Sequence, residues 1–425
     1  MAKSNLFVFQ LFLSFLGLTL ILNNSSSLIL NFIFLVLIGL NFFLNSGKLF
    51  SIVSFYTILF SSALIPILLV NFGVIPDVVT PNIIRVDIMQ DNYYGLALDI
   101  LILSTLIMSS YLNLSTSFKV SRKDRVDNFK PIYYEIFIIF SSYMINKDSS
   151  ILFLDAYRGD GYVDGESFGG WAVFFIMALS YYVYKTNLAS QRNLYFCYFV
   201  IFFWFIFANR GEIFPILFFV LYATFSRRKK FRFIQVPRYV YALVLVLSFL
   251  AIGVVRSGNY TYSGDLLLTL LSNNTGGPVA YSFMSILYHT QNFGFENGAT
   301  FIDYLYRTLP SFIIPDRPGD VSMFLVKTYS TGGGNLLIGE PYLNFGVLGV
   351  FAFLNLFLML IVFIEKKASV YREFNLLYIL FIFLGTRTVL YGFITFYKLA
   401  ILFIGLLFIY LLFNGGKIIL NRRTN

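Results

Sequence analysis

Few side chains in this sequence are equipped for chemistry, and their surroundings say more than their number. Glu340 stands in the run Gly339-Glu340-Pro341-Tyr342-Leu343-Asn344-Phe345-Gly346-Val347-Leu348-Gly349, where a long segment of mixed polarity gives way to an apolar one. A carboxylate at such a water–lipid boundary is partly buried, which tunes it for general-base work. The competing reading is an acid that stabilises a helix N-terminus. Arg210, Arg256 and Arg387 lie at or near the ends of other apolar runs. Arginine costs about 2.5 kcal/mol or more at the bilayer centre, so near membrane depth it tends to mark a functional cavity. Its planar fork matches phosphate oxygens bidentately, and three such groups on one side suit a diphosphate. For each one alone, an arginine snorkelling to the interface is the alternative. His289 is the only histidine. A lone histidine in Ser285-Ile286-Leu287-Tyr288-His289-Thr290 reads more readily as structural than as a ligand or base.

These groups must be positioned by a membrane scaffold. Of the 425 residues, 58% are hydrophobic, 20% aromatic and only 12% charged. A soluble domain carries about a quarter charged residues. Repeated apolar runs therefore point to one polytopic, all-α membrane domain over 1–425. A bilayer core needs about 20 apolar residues per helix, which gives about twelve segments: 6–22, 28–44, 49–72, 93–115, 132–146, 168–184, 194–208, 212–226, 239–255, 342–364, 374–391 and 396–413. Pro66 should kink the third. The first reads as a retained helix rather than a cleaved signal, since no small-x-small site is clear and a second run follows at once. Gly346 and Gly349 read as small residues that let helices pack closely. Cys197, the only cysteine, can form no intrachain bridge and reads as a small apolar residue.

The charges sort by side. With the N-terminus inside, 21 of the 31 Lys and Arg, but only about 5 of the 21 acids, fall on the inner face. Both termini are then cytoplasmic. The net charge of +10 becomes a matter of topology, and nucleic acid is not implied as a partner. The longest extramembrane segment, 256–341, lies outside. Its stretches Val279–Leu287 and Phe301–Leu309 read as short helices lying on the membrane or packed on the bundle. A second outer loop, 147–167, is acidic and carries Arg158-Gly159-Asp160, which reads as a chance tripeptide. Walker A, His-Glu-x-x-His and Gly-x-Gly-x-x-Gly patterns are absent, so a nucleotide-driven or zinc-hydrolase reading has no motif to rest on.

The layout resembles the Wzy-type oligosaccharide repeat-unit polymerases, which make O-antigen and related bacterial surface polysaccharides in the inner membrane. The resemblance rests on about a dozen spans, a large late outer loop, the Arg210-Gly211 step between spans, and the Gly-Glu-Pro-Tyr-Leu-Asn-Phe-Gly-x-x-Gly run at 339–349. It implies a glycosyltransferase C-type-like fold with a periplasmic cavity. It further implies transfer of a growing glycan from undecaprenyl diphosphate onto the non-reducing end of the next lipid-linked unit, without metal, nucleotide sugar or other cofactor. The partners would be the lipid-linked donor and acceptor, membrane lipids and, where chain length is controlled, a regulator protein. Glu340 and Arg210 match the family's glutamate and its Arg-Gly step and are the catalytic candidates. Arg256, Arg387, Arg307 and Arg317 would bind the diphosphate or guide it. Tyr288, Tyr304, Tyr342 and His289 complete the substrate-binding candidates, the tyrosines as stacking surfaces for sugar rings. Two other readings stay open: a flippase or exporter of lipid-linked oligosaccharide, and an O-antigen ligase. The ligases carry a histidine near the glutamate that is absent here, and no paired halves suggest a transporter.

Overall fold

The computed structural model describes residues 2–23, 28–75, 88, 90–118, 130–146, 170–186, 188, 190–206, 213–226, 276–308, 319, 321–331, 334–371, 373–392 and 397. Among these, every regular element is helical: α1 (Ala2–Leu22), α2 (Leu28–Leu44), α3 (Ile52–Asn71), α4 (Asp91–Ser110), α5 (Pro131–Asn146), α6 (Gly170–Thr186), α7 (Gln191–Ile206), α8 (Ile213–Ser226), α9 (Gly276–Phe293), α10 (Ala299–Thr308), α11 (Val321–Tyr329), α12 (Gly339–Ala368) and α13 (Glu373–Tyr391). Five of them are long and apolar enough to cross a membrane: α1, α3, α4 with the turn that follows it, α12 and α13. Backbone polar groups find no water in a bilayer, so a continuous helix is the structure that satisfies them there. Ten of the expected apolar segments coincide with helices to within a few residues. Those at 239–255 and 396–413 lie outside the described residues, apart from Tyr397.

α4 lies at the centre of the bundle, packed on α1, α2, α3, α9 and α12. α13 packs on α3, α6, α8 and α12, while α5, α6 and α7 form a lateral group. α3 runs unbroken through Pro66. Buried polar side chains join the helices where apolar packing alone is unselective. Gln10 donates to Asn41 Oδ1 at 2.7 Å, and Asn41 donates to Ser109 Oγ at 3.0 Å. Asn45 donates to Asn113 Oδ1 at 3.0 Å, and Asn113 returns to Gln10 Oε1 at 3.1 Å. In the lateral group, Glu135 accepts from Tyr182 at 3.0 Å and pairs with Arg192 at 2.8 Å.

The helix expected over Val279–Leu287 is longer and deeper than a loop helix. α9 spans Gly276–Phe293 and is buried over most of its length, against α3, α4 and α12. Its serines Ser282 and Ser285 donate back to carbonyls one turn earlier, which hides them from the apolar core.

Candidate functional site

The site is built around the start of α12. Residues 334–338 run along the end of α13, where Leu337 N–H donates to Val389 O at 2.9 Å. That bond satisfies one of the carbonyls a helix leaves free at its C-terminus. The backbones approach closely: a Cβ on Gly334, whose φ is +96°, would lie 2.9 Å from Leu390 O. The chain then turns into α12, with Glu340 in the first turn.

α12 is broken at Gly346, which has φ 62° and ψ −152°. That region of backbone space is accessible to glycine and costs about 1–3 kcal/mol for other residues. The Phe295 ring packs on the break, 3.0 Å from where a Cβ on Gly346 would stand. A Cβ on Gly349 would lie 2.4 Å from Pro341 O, within the same element. The two glycines therefore serve the break, where the spacing alone suggested packing between separate helices.

The Glu340 side chain is 1% exposed. Its Oε1 accepts hydrogen bonds from the Tyr304 hydroxyl and, at 3.0 Å, from Asn335 Nδ2. A buried carboxylate is tolerable only when hydrogen-bonded, and these two donors come from α10 and from the strip that precedes α12. Gly392 closes the third side: with φ +84°, its Cβ position lies 2.8 Å from Oε1. The Tyr397 ring lies against that of Tyr304, with centroids 5.7 Å apart. Asn344, one turn on, fixes α10 to this half-helix. It donates to Thr300 Oγ1 at 2.6 Å and to Glu340 O at 2.8 Å, and accepts from Gly298 N–H at 2.8 Å.

Among the sequence candidates, the structure brings Glu340 and Tyr304 into direct contact. Arg387 stands in the last turns of α13, the helix whose end abuts Glu340, with its guanidinium 5.2 Å from the Tyr391 ring centroid. Arg307 ends α10 and reaches Met323 Sδ of α11 at 3.9 Å. Tyr342 is buried between Phe283 and Phe295. Tyr288 is half-buried between Tyr93 and Tyr329. His289 Nδ1 is 2.8 Å from the Tyr329 hydroxyl, and its Nε2 lies 3.6 Å from Glu296 Oε1. It belongs to the aromatic cluster between α9 and α11. Arg210, Arg256 and Arg317, the loop 147–167 and its Arg-Gly-Asp lie outside the described residues.

Three residues of the site were not singled out by motif. Asn335 has one signal, an amide five positions before Glu340. Asn344 sits within the quoted run but reads there as an ordinary helix residue. Gly392 and Glu340 meet only through the docking of α13 on α12.

A second buried glutamate lies at the far end of α12. Glu365 is 1% exposed. It accepts from Ser115 Oγ at 2.6 Å, Thr116 N–H at 3.0 Å and Val53 N–H at 3.2 Å. It thereby joins α12 to the start of α3 and to the strip after α4. Among the described residues, no group of three or more His, Cys, Asp or Glu side chains converges as metal ligands would.

What the Glu340 arrangement can do chemically is hold one carboxylate oxygen fixed while the group exchanges a proton with a bound hydroxyl. No family model, no curated protein and no solved structure matches this chain.

Proposed function

We propose that the protein is a membrane glycosyltransferase that polymerises polyprenyl-diphosphate-linked oligosaccharide units. Its full set of about twelve spans would enclose a glycosyltransferase C-type-like cavity opening at the outer face of a bacterial inner membrane, with both termini cytoplasmic. The reading is carried by one observation: a buried carboxylate, Glu340, held by Tyr304 and Asn335 beside the end of α13. In the reaction, the Glu340 carboxylate takes the proton of the acceptor sugar hydroxyl. That oxygen forms the new glycosidic bond, and the bond to the donor's diphosphate breaks. The diphosphate leaves on its lipid with the bonding electron pair, its charge offset by Arg210, Arg256 and Arg387. Arg387 stands on the helix that abuts Glu340, as this requires.

The test is glycan length in cells and in a purified system supplied with lipid-linked repeat units. Glu340→Gln keeps shape and removes the base, so single units should replace polymer at unchanged protein abundance. Normal long chains would sink the base assignment. Polymer that accumulates on the lipid carrier after deletion would point to a ligase, and units trapped inside to a flippase.

A further inference from the structure

α10 presents the wrong face outward for a helix in water. Ile302, Leu305 and Tyr306 are each half or more exposed and share one side of the helix at spacings of three and four residues. Tyr304, on the opposite side, bonds Glu340, while Phe301, one turn before Leu305 at the edge of the exposed face, stacks its ring on Phe345 with centroids 6.4 Å apart. Thr300 and Arg307 occupy the flank, bonded to Asn344 and Met323. α10 is thus packed on the bundle and apolar on its free face.

What covers that face follows from what it adjoins. α12 exposes Leu348, Leu356, Met359, Leu360 and Phe363 at helical spacing, a stripe along one side of a helix long enough to cross a membrane. Such a stripe on a span faces lipid. Phe345, half exposed, stands at the head of this stripe and is the residue on which Phe301 of α10 stacks. The exposed side of α10 therefore continues a lipid-facing surface around a corner, with Phe295, half exposed and packed on Gly346, beside it. A short helix with an apolar stripe and a polar flank, anchored at the top of a span, fits the interfacial layer.

We propose that α10 is seated in the membrane interface at the Glu340 end of the bundle, with bulk lipid as the occupant of its Ile302–Leu305–Tyr306 face. The bilayer then presses Tyr304 onto Glu340, and lipid contact is a structural condition of the site. The inference rests on the membrane-spanning reading of α12 and is independent of the polymerase reading.

The test uses full-length chain in phosphatidylcholine vesicles, on a Cys197→Ala background, with an environment-sensitive fluorophore attached in turn to Ile302→Cys, Leu305→Cys and Asp303→Cys. Brominated lipid should quench the probes at 302 and 305 at least about twofold more than the probe at 303, while aqueous iodide shows the reverse order. Iodide quenching of 305 as strong as that of 303 overturns the proposal. So does oxidative cross-linking of Leu305→Cys between copies, which assigns the face to a second chain. Relief of bromolipid quenching by added polyprenyl diphosphate also overturns it, assigning the face to a substrate tail. Hydroxyl-radical labelling of Tyr306 in the unsubstituted chain checks the same face without any label: protection in vesicles is expected, and full labelling contradicts it. None of these readouts needs turnover, so failure here and failure of the polymerase reading are separable.

Discussion

α12 carries a buried glutamate near each end, and the two are held in different ways. Glu365 receives two backbone N–H groups and a serine hydroxyl, from the first turn of α3 and from residues 115–116. Removing that carboxylate orphans main-chain donors, so its first job is to hold helices together. The Oε1 of Glu340 is instead held by two side chains, Tyr304 and Asn335, on a short helix and a connecting strip. Those partners orient the oxygen without making it the keystone of a helix end. On the proposed reading, the difference separates a carboxylate whose bonds hold the fold from one whose proton changes in the reaction.

Substitutions put that contrast to the test. The largest effect is expected at Glu340. Loss of a general base costs about 10²–10⁴-fold in rate, so Glu340→Gln should reduce polymer formation by at least about 100-fold with little change in thermal stability. Glu365→Ala should do the opposite. Leaving buried donors unsatisfied costs about 1–3 kcal/mol, so the detergent-solubilised protein should unfold several degrees earlier, while whatever folds keeps its activity per molecule. Gly346→Ala should affect both properties: about 1–3 kcal/mol of backbone strain, plus displacement of Phe295, should lower stability and misplace Glu340. Its readout is the melting temperature together with glycan length. Tyr304→Phe removes one hydrogen bond to a charged acceptor, worth about 1.5–3 kcal/mol, so activity should fall about tenfold or more at normal abundance. The smallest effect is expected from Arg387→Lys, which keeps charge but removes the fork and its stacking on Tyr391. A severalfold loss in donor affinity with unchanged stability is expected, about 1 kcal/mol or less.

Much of the scaffold was legible from hydrophobic length, because a bilayer forces long apolar helices and the bounds of α2, α5 and α8 follow the apolar runs closely. α9 was only half legible. It is enclosed by protein rather than lipid, so its serines and glycines are tolerated and the apolar signal is short. The break at Gly346 could not be read at all, since Gly-x-x-Gly spacing suits helix packing and a broken helix equally. Glu340 was visible as a carboxylate at the edge of a span. Its partners were not: Tyr304 drew attention as an aromatic surface for sugars, and its hydroxyl's bond to Glu340 arises only when Asn344 clamps α10 onto α12. Asn335 and Gly392 reach the site through the meeting of α12 with α13, which no local pattern encodes.

The most direct test is glycan length measured side by side for Glu340→Gln and Glu365→Gln at matched membrane abundance. Single repeat units are expected from the first and polymer from the second. Long polymer from Glu340→Gln, or loss of polymer from both variants alike, would contradict the assignment of Glu340 as the reacting base.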